Sequence, residues 1–265
     1  MEKVLLHTPE GVRDVYGKEC AVKLTIENSI NKVFNIYGYH NIQTPTFEFF
    51  DIFSKERGSV ASKNLYKFFD REGNTLVLRP DVTPSIARLV AKYYMDVKVP
   101  VKLCYNANTY INNSELQGKL KENTQLGCEL INDDSVEADA EILALVVDSL
   151  KAAGLKEFLV EIGHADFYKG LLEECGFDTE NEQELRKRIE NKNYFGVEEI
   201  LDNNNITGQL KEAFLKLPEL FGSIDVIKSA KELTDNKKAL QSIERLEKLY
   251  SILEDYGVSK YISFD

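Results

Sequence analysis

Apolar residues recur along the first half of the chain with two different periods. After Thr8-Pro9-Glu10-Gly11, Val22, Ile26, Ile30, Val33, Phe34 and Tyr37 fall on one side of a 3.6-residue repeat. That spacing predicts an amphipathic helix, ended by Gly38. A second helix is predicted from Pro84, with Thr83 as N-cap and Ile86, Leu89, Val90 and Tyr93 turned inward. A third is predicted over 135–153, where Asp134 and Glu137 have capping-box spacing and Gly154 stops the pattern. Between them, 66–70 and 76–79 read as strands joined at Arg71-Glu72-Gly73-Asn74. The segments 99–105 and 124–131 form a second such pair around a polar connection, and 158–163 is a further strand.

From Asp166 the strand signal fades. Residues 166–258 read as helix after helix, rich in Glu, Lys, Leu and Asn, with breaks near Asp178, Asn191, 203–208 and Pro218. The chain then closes on Tyr261-Ile262-Ser263-Phe264-Asp265, which is strand-like. Antiparallel hairpins with helices packed beside them indicate an α+β fold. The expected organisation is an α+β core over 1–165, a helical insertion over 166–258, and a strand over 259–265 returning to the core sheet. A sheet ending on an apolar strand leaves an exposed edge, so the core is expected to be truncated at its C-terminal end.

At 265 residues and 43% hydrophobic, the chain can bury a substantial core. No apolar run approaches the roughly 20 residues needed to span a bilayer, and the first residues lack a signal-peptide core, so a cytoplasmic location is expected. With 33 basic and 44 acidic residues the net charge is -11, which disfavours nucleic-acid binding. The four cysteines form no C-x-x-C pair and the three histidines form no ligand-like interval, so no metal and no cofactor is expected. His164, placed after a strand, is at most an isolated ligand candidate.

Two segments carry candidate chemistry. In Leu78-Arg79-Pro80-Asp81-Val82-Thr83-Pro84, a carboxylate and a hydroxyl leave a strand where a helix begins. They can hold an ammonium group by charge-assisted hydrogen bonds, although helix capping is the commoner role of such residues. In Thr124-Gln125-Leu126-Gly127-Cys128-Glu129-Leu130, alternation puts Gln125, Gly127 and Glu129 on one face. Leu126, Cys128 and Leu130 take the other face, which is the packed one. A glycine between two polar residues suits close approach of a backbone or a ligand, while a solvent-facing strand side is the plainer reading.

Taken in order, TPEGVRDV, YGYHNIQTPTFEFFDIF, LRPDVTPSIARLV and KLCYNANTYINNSELQGKLKENTQLGCEL resemble histidyl-tRNA synthetase and its paralogues. The second is similar to motif 1 of class II aminoacyl-tRNA synthetases, and the fourth occupies the place of motif 2. The resemblance covers roughly residues 8 to 165 and implies an antiparallel sheet with flanking helices, dimeric through the motif 1 region. Carried over by position, Asp81, Thr83, Gln125 and Glu129 match the histidine-binding positions. The first three would grip the ammonium end, and Glu129 would sit near the imidazole.

The pattern breaks at the arginine that an active synthetase needs. Tyr110 matches the aromatic residue before it, and Ile111 stands in its place. An isoleucine cannot stabilise the charge gathered on phosphorus during adenylation. Residues 112–117 contain no arginine, and Lys119 and Lys121 stand where further arginines are expected. The chain thus most resembles the regulatory subunits of ATP phosphoribosyltransferase. That resemblance implies a non-catalytic partner of the phosphoribosyltransferase catalytic subunit, present as a homodimer within a hetero-octamer. It also implies a role in the first step of histidine biosynthesis, feedback by L-histidine in a retained or vestigial pocket, and binding of neither tRNA nor membrane. The alternatives are a divergent synthetase-like enzyme and an amino-acid-binding module.

Overall fold

The computed structural model describes residues 6–54, 60–113 and 118–265, which form two compact units: residues up to 133 with 148–155, and 134–147 with 156–265. The fold is α+β. Helix α4 (Val136–Ala152) divides between the two units.

In the first unit, helix α1 (Gly17–Ile36) ends at Gly38, whose φ of 82° is the left-handed conformation that glycine tolerates best. Of its predicted inward face, Phe34 is buried, whereas Val22 is 49% exposed and Ile26 36% exposed. These two line an open groove of about 610 Å³ with Leu120 and Leu126, so periodicity located the stripe correctly but not what fills it. Strands β1 (His40–Asn41), β2 (Phe47–Phe49), β3 (Lys67–Phe69) and β4 (Thr75–Leu78) follow, with the short helix α2 (Asp51–Ser54) after β2. The predicted hairpin is β3–β4, paired antiparallel from Lys67↔Val77 to Phe69↔Thr75, and β2 pairs with β4 on its other edge. Its turn is set by Asp70, whose carboxylate accepts from the backbone and side-chain nitrogens of Asn74, both at 2.8 Å. Those hydrogen bonds hold the Asp70 carboxyl below its ordinary pKa.

Helix α3 (Thr83–Tyr93) then leads to β5 (Val101–Tyr110) and β6 (Glu122–Ile131). These pair antiparallel throughout, from Val101↔Ile131 to Tyr110↔Glu122, and β1 joins the other edge of β5 in parallel. The sequence pattern predicts antiparallel hairpins, and β1 joins them as a parallel neighbour. A parallel neighbour needs a long crossover, and the residues between β1 and β5 supply one. Val82, Ile86, Val101, Leu103 and Tyr105 form the buried cluster where α3 lies on this sheet.

In the second unit, β7 (Val160–Ile162) pairs in parallel with β8 (Ile262–Phe264), and a helical run separates them in sequence. It comprises α5 (Ala165–Cys175), α6 (Thr179–Glu190), α7 (Tyr194–Asn203), α8 (Gly208–Lys216), α9 (Asp225–Glu232) and α10 (Lys237–Asp255). The breaks fall where the sequence places them. Asp178 caps α6 by accepting from Asn181 N, α7 ends at Asn203 before α8 opens at Gly208, and Pro218 lies in a short 3-10 turn. Leu171, Leu185, Val197, Leu201, Ala213 and Phe214 are fully buried together. Helix α10 presents Ala239, Ile243, Leu246, Leu249 and Leu253 on one buried stripe. At its start, Asn236 Oδ1 accepts from Lys238 N and Ala239 N, while its Nδ2 donates to Gly170 O in α5.

Two predicted caps are corrected. The hydroxyl of Ser135, not the carboxylate of Asp134, accepts from Ala138 N at 3.1 Å, because α4 begins one residue later than the capping-box spacing assumes. Thr83 is the first residue of α3 rather than its cap; Val82 holds the cap position, and the Thr83 side chain is committed elsewhere. Among the described residues, no helix is long and apolar enough to cross a membrane.

Candidate functional site

All four predicted site residues converge in the first unit, where α3 starts over the β5–β6 sheet. The Thr83 hydroxyl donates to Glu129 Oε1 at 2.6 Å. Gln125 Nε2 donates to Asp81 Oδ1 at 3.3 Å. Asp81 Oδ1 also accepts from Val82 N at 2.7 Å and weakly from Thr83 N at 3.5 Å. The carboxylate therefore closes the first turn of α3, where the helix dipole favours negative charge. Asp81 thus engages the helix start and faces the strand that carries Gln125 and Glu129.

Strand register explains the convergence. Gln125, Gly127 and Glu129 pair with Ala107, Tyr105 and Leu103, and alternation puts all six on the sheet face that α3 covers. Tyr105 is the residue that sequence reasoning missed. It is 4% exposed, and a Cβ built on Gly127 would lie 2.4 Å from its hydroxyl oxygen. The glycine answers to a close approach, as expected, but the approaching group is this tyrosine. Burial, then the charges of Glu129 and Asp81, push the Tyr105 hydroxyl up to about 12, so it stays protonated near neutral pH. The Thr83 hydroxyl opposes that shift. The signal that could have found it is a glycine opposite an aromatic residue on neighbouring strands. The run Leu103-Cys104-Tyr105 is buried throughout and gives no alternation to read.

The electrostatics are those of an acidic site. Burial raises the Glu129 carboxyl above its ordinary value; the Thr83 hydrogen bond opposes that shift and the Asp81 charge adds to it. Arg79, the nearest basic residue in sequence, does not compensate. Its Nε donates to Asn108 O at 2.8 Å, and its Nη1 donates to Thr44 O at 2.8 Å and Pro45 O at 3.2 Å. Arg79 is 6% exposed, and its guanidinium ties the 44–45 segment to Asn108; burial lowers its pKa from the ordinary value. Arg88 is likewise engaged, with Nε and Nη2 both donating to Glu48 Oε1 at 3.0 and 2.7 Å.

Ile111 follows directly on β5. Its N–H donates to Lys121 O at 2.9 Å, which extends the β5–β6 ladder by one residue. Alternation therefore places Ile111 on the face of Tyr105 and Gln125. Of the connection beyond it, residues 114–117 lie outside the described residues. Lys121 donates its N–H to Gly11 O at 2.7 Å, and its side-chain stem lies against Gly11. In the second unit, His164 Nδ1 accepts from Asp166 N at 3.2 Å and so caps α5. Among the described residues, no group of His, Cys, Asp and Glu is arranged to hold a metal ion.

Comparison with known proteins identifies the family. The histidyl-tRNA synthetase family model matches residues 11–265. An ATP phosphoribosyltransferase regulatory subunit from Ruminiclostridium cellulolyticum is 46% identical over all of this chain, which covers 63% of that protein. The corresponding subunit from Acetivibrio thermocellus is 42% identical over 98% of the chain, covering 62% of its own length. The chain thus spans somewhat less than two thirds of these relatives. A crystal structure from Bacillus halodurans C, described as an ATP phosphoribosyltransferase regulatory subunit/histidyl-tRNA synthetase, superposes with a TM-score of 0.90 at 36% identity, covering 98% of this chain and 68% of that one. The chain belongs to the histidyl-tRNA synthetase family, on the branch that includes the ATP phosphoribosyltransferase regulatory subunits.

Proposed function

We propose that this chain serves as a non-catalytic regulatory subunit of ATP phosphoribosyltransferase, a glycosyltransferase, acting in the cytoplasm at the first step of histidine biosynthesis. The observation that carries the reading is Ile111. By the resemblance it stands where an adenylating enzyme of this family needs an arginine, and its backbone pairing with Lys121 supports placing it on the face of β5 that carries Tyr105. Arg79 and Arg88 are each partly committed elsewhere, Arg79 to the carbonyls of Thr44, Pro45 and Asn108 and Arg88 to Glu48. The names of relatives at 46% and 42% identity support the same reading.

In this account the chain pairs with the catalytic subunit as a homodimer within a hetero-octamer and binds no tRNA. Asp81, Thr83, Gln125 and Glu129 form the pocket through which L-histidine reports to the partner, by a coupling free energy of about 1–3 kcal/mol. The proposed organisation is a synthetase-like core over 1–165, a helical insertion over 166–258 and a strand over 259–265, which pairs with β7 at the end of the first segment. Two assays test the reading. Mixed with a purified short-form catalytic subunit, the chain is expected to co-elute as one assembly on size exclusion with light scattering. It is also expected to show no histidine-dependent exchange of pyrophosphate into ATP. Separate elution removes the partner, and measurable exchange reinstates the synthetase-like enzyme.

A further inference from the structure

Strands β5 and β6 bring two cysteines together on the sheet face opposite Tyr105 and Gly127. Cys104 and Cys128 are direct partners in the antiparallel register. Two backbone hydrogen bonds fix what kind of pair they make. Ile42 N donates to Cys104 O at 2.9 Å, so the Cys104 carbonyl points to β1 and away from β6. Further along, Ile111 N donates to Lys121 O at 2.9 Å, which makes that pair a hydrogen-bonded one. Alternation along the unbroken register then makes Cys104↔Cys128 a non-hydrogen-bonded pair. In such pairs the Cα atoms stand about 4.5 Å apart and the side chains approach most closely. A disulfide needs a Cα separation of about 4.4–6.8 Å, so the two thiols can be joined without moving either strand.

The two sulfurs differ in access. Cys104 is fully buried, its Sγ donates to Asn41 Oδ1 at 3.4 Å, and burial raises its pKa. Cys128 is partly exposed, and none of the four cysteines is in a disulfide. We propose that Cys104 and Cys128 are a dithiol modification site, which low-molecular-weight disulfides close to a cross-strand disulfide. The Cys128 thiolate attacks one sulfur of the reagent, forming a mixed disulfide and releasing the first reagent thiol. Cys104 then loses its proton and attacks Cys128 Sγ, which forms the protein disulfide and releases the second reagent thiol. Two protein thiols are oxidised, one reagent disulfide is reduced, and each leaving thiolate takes up a proton that a cysteine has lost. The link pins the register of the pairs on either side, Leu103↔Glu129 and Tyr105↔Gly127.

Treating the folded chain with a small excess of a dipyridyl disulfide, then digesting it with trypsin without reduction, tests the proposal. Lys119 and Lys121 lie between the two cysteines, so cleavage separates them unless their sulfurs are joined. The expected product is a linked pair of peptides carrying Cys104 and Cys128, which dithiothreitol separates again. Cys20 and Cys175, where they react, are expected to keep one pyridylthio group each. Cys104→Ser is expected to stop the reaction at a mixed disulfide on Cys128. Cys128→Ser is expected to slow labelling of Cys104 at least about tenfold, since the buried thiol then has no exposed relay. Mapping of the unsubstituted chain decides the question even if a variant misfolds. A link that forms only in the urea-unfolded chain overturns the proposal. So does a mixed disulfide that persists on Cys128 beside a reduced Cys104, or a folded chain in which both thiols stay reduced.

Discussion

The helical run of the second unit and the ligand-facing sheet of the first are built from different forces. Around Leu171, Leu185, Leu201 and Phe214, every buried group named is apolar, and the helix ends are closed by Asp178, Asn193 and Asn236. Stability there comes from removing hydrocarbon from water. At the β5–β6 face, Tyr105 lies against a glycine, a buried guanidinium binds backbone carbonyls, and a carboxylate has its pKa raised by burial. The first region responds to volume and the second to charge and hydrogen-bond direction. Electrostatic cost retained in a folded chain marks a candidate site more sharply than the fold does.

The comparison breaks first at Phe214. Replacing this fully buried ring by alanine is expected to cost about 3–5 kcal/mol, read as a lower Tm or urea midpoint. A loss below about 1 kcal/mol would mean that the helical core is loosely packed. Next comes Arg79→Met, which leaves the carbonyls of Thr44, Pro45 and Asn108 without their charged donor. It is expected to cost about 2–3 kcal/mol, measured the same way. Thr83→Ala, a few residues on, is expected to change stability by less than about 1 kcal/mol while weakening ligand binding. Equal losses for the two would remove the distinction between fastener and site.

The glycines sharpen the contrast further. Gly170→Ala lies within a helix, where alanine is ordinarily favoured by about 1 kcal/mol. Here its Cβ would meet Asn236 Oδ1 at 2.6 Å and Ala239 N at 2.9 Å, so a net loss of about 1–3 kcal/mol is expected. Gly127→Ala meets the Tyr105 ring and is expected to lose a similar amount together with ligand affinity. The smallest effect is electrostatic. Because the folded-state pKa of Glu129 lies above its ordinary value, the native state holds that proton more tightly than the unfolded chain does. Stability should therefore fall as pH rises from the ordinary carboxylate range through the folded pKa. Glu129→Gln should lack that component of the fall, and identical pH–stability curves for the two proteins would contradict the desolvated carboxylate.

Much of this was legible in the sequence, for reasons that differ by residue. Gly38 and Asp178 mark helix ends because left-handed backbone and side-chain capping are local chemistry. The β3–β4 hairpin was readable because Asp70 and Asn74 build the turn from adjacent residues. Asp81, Thr83, Gln125 and Glu129 emerged from alternation and from the family pattern together. The parallel partners of β1 and β8 did not emerge, since pairing across a long crossover leaves no local trace. Tyr105 was hidden because its strand segment is buried on both faces. The role of Arg79 was not legible, because the carbonyls it binds, those of Thr44 and Asn108, lie far away in sequence.

The most direct test of the central claim is the rate of phosphoribosyl-ATP formation by a purified short-form catalytic subunit, measured with and without this chain and then with L-histidine added. The account predicts that the chain raises the rate and that histidine lowers it again. A catalytic subunit whose rate is unchanged by the chain, under conditions where its own full-length regulatory subunit activates it, would contradict the account.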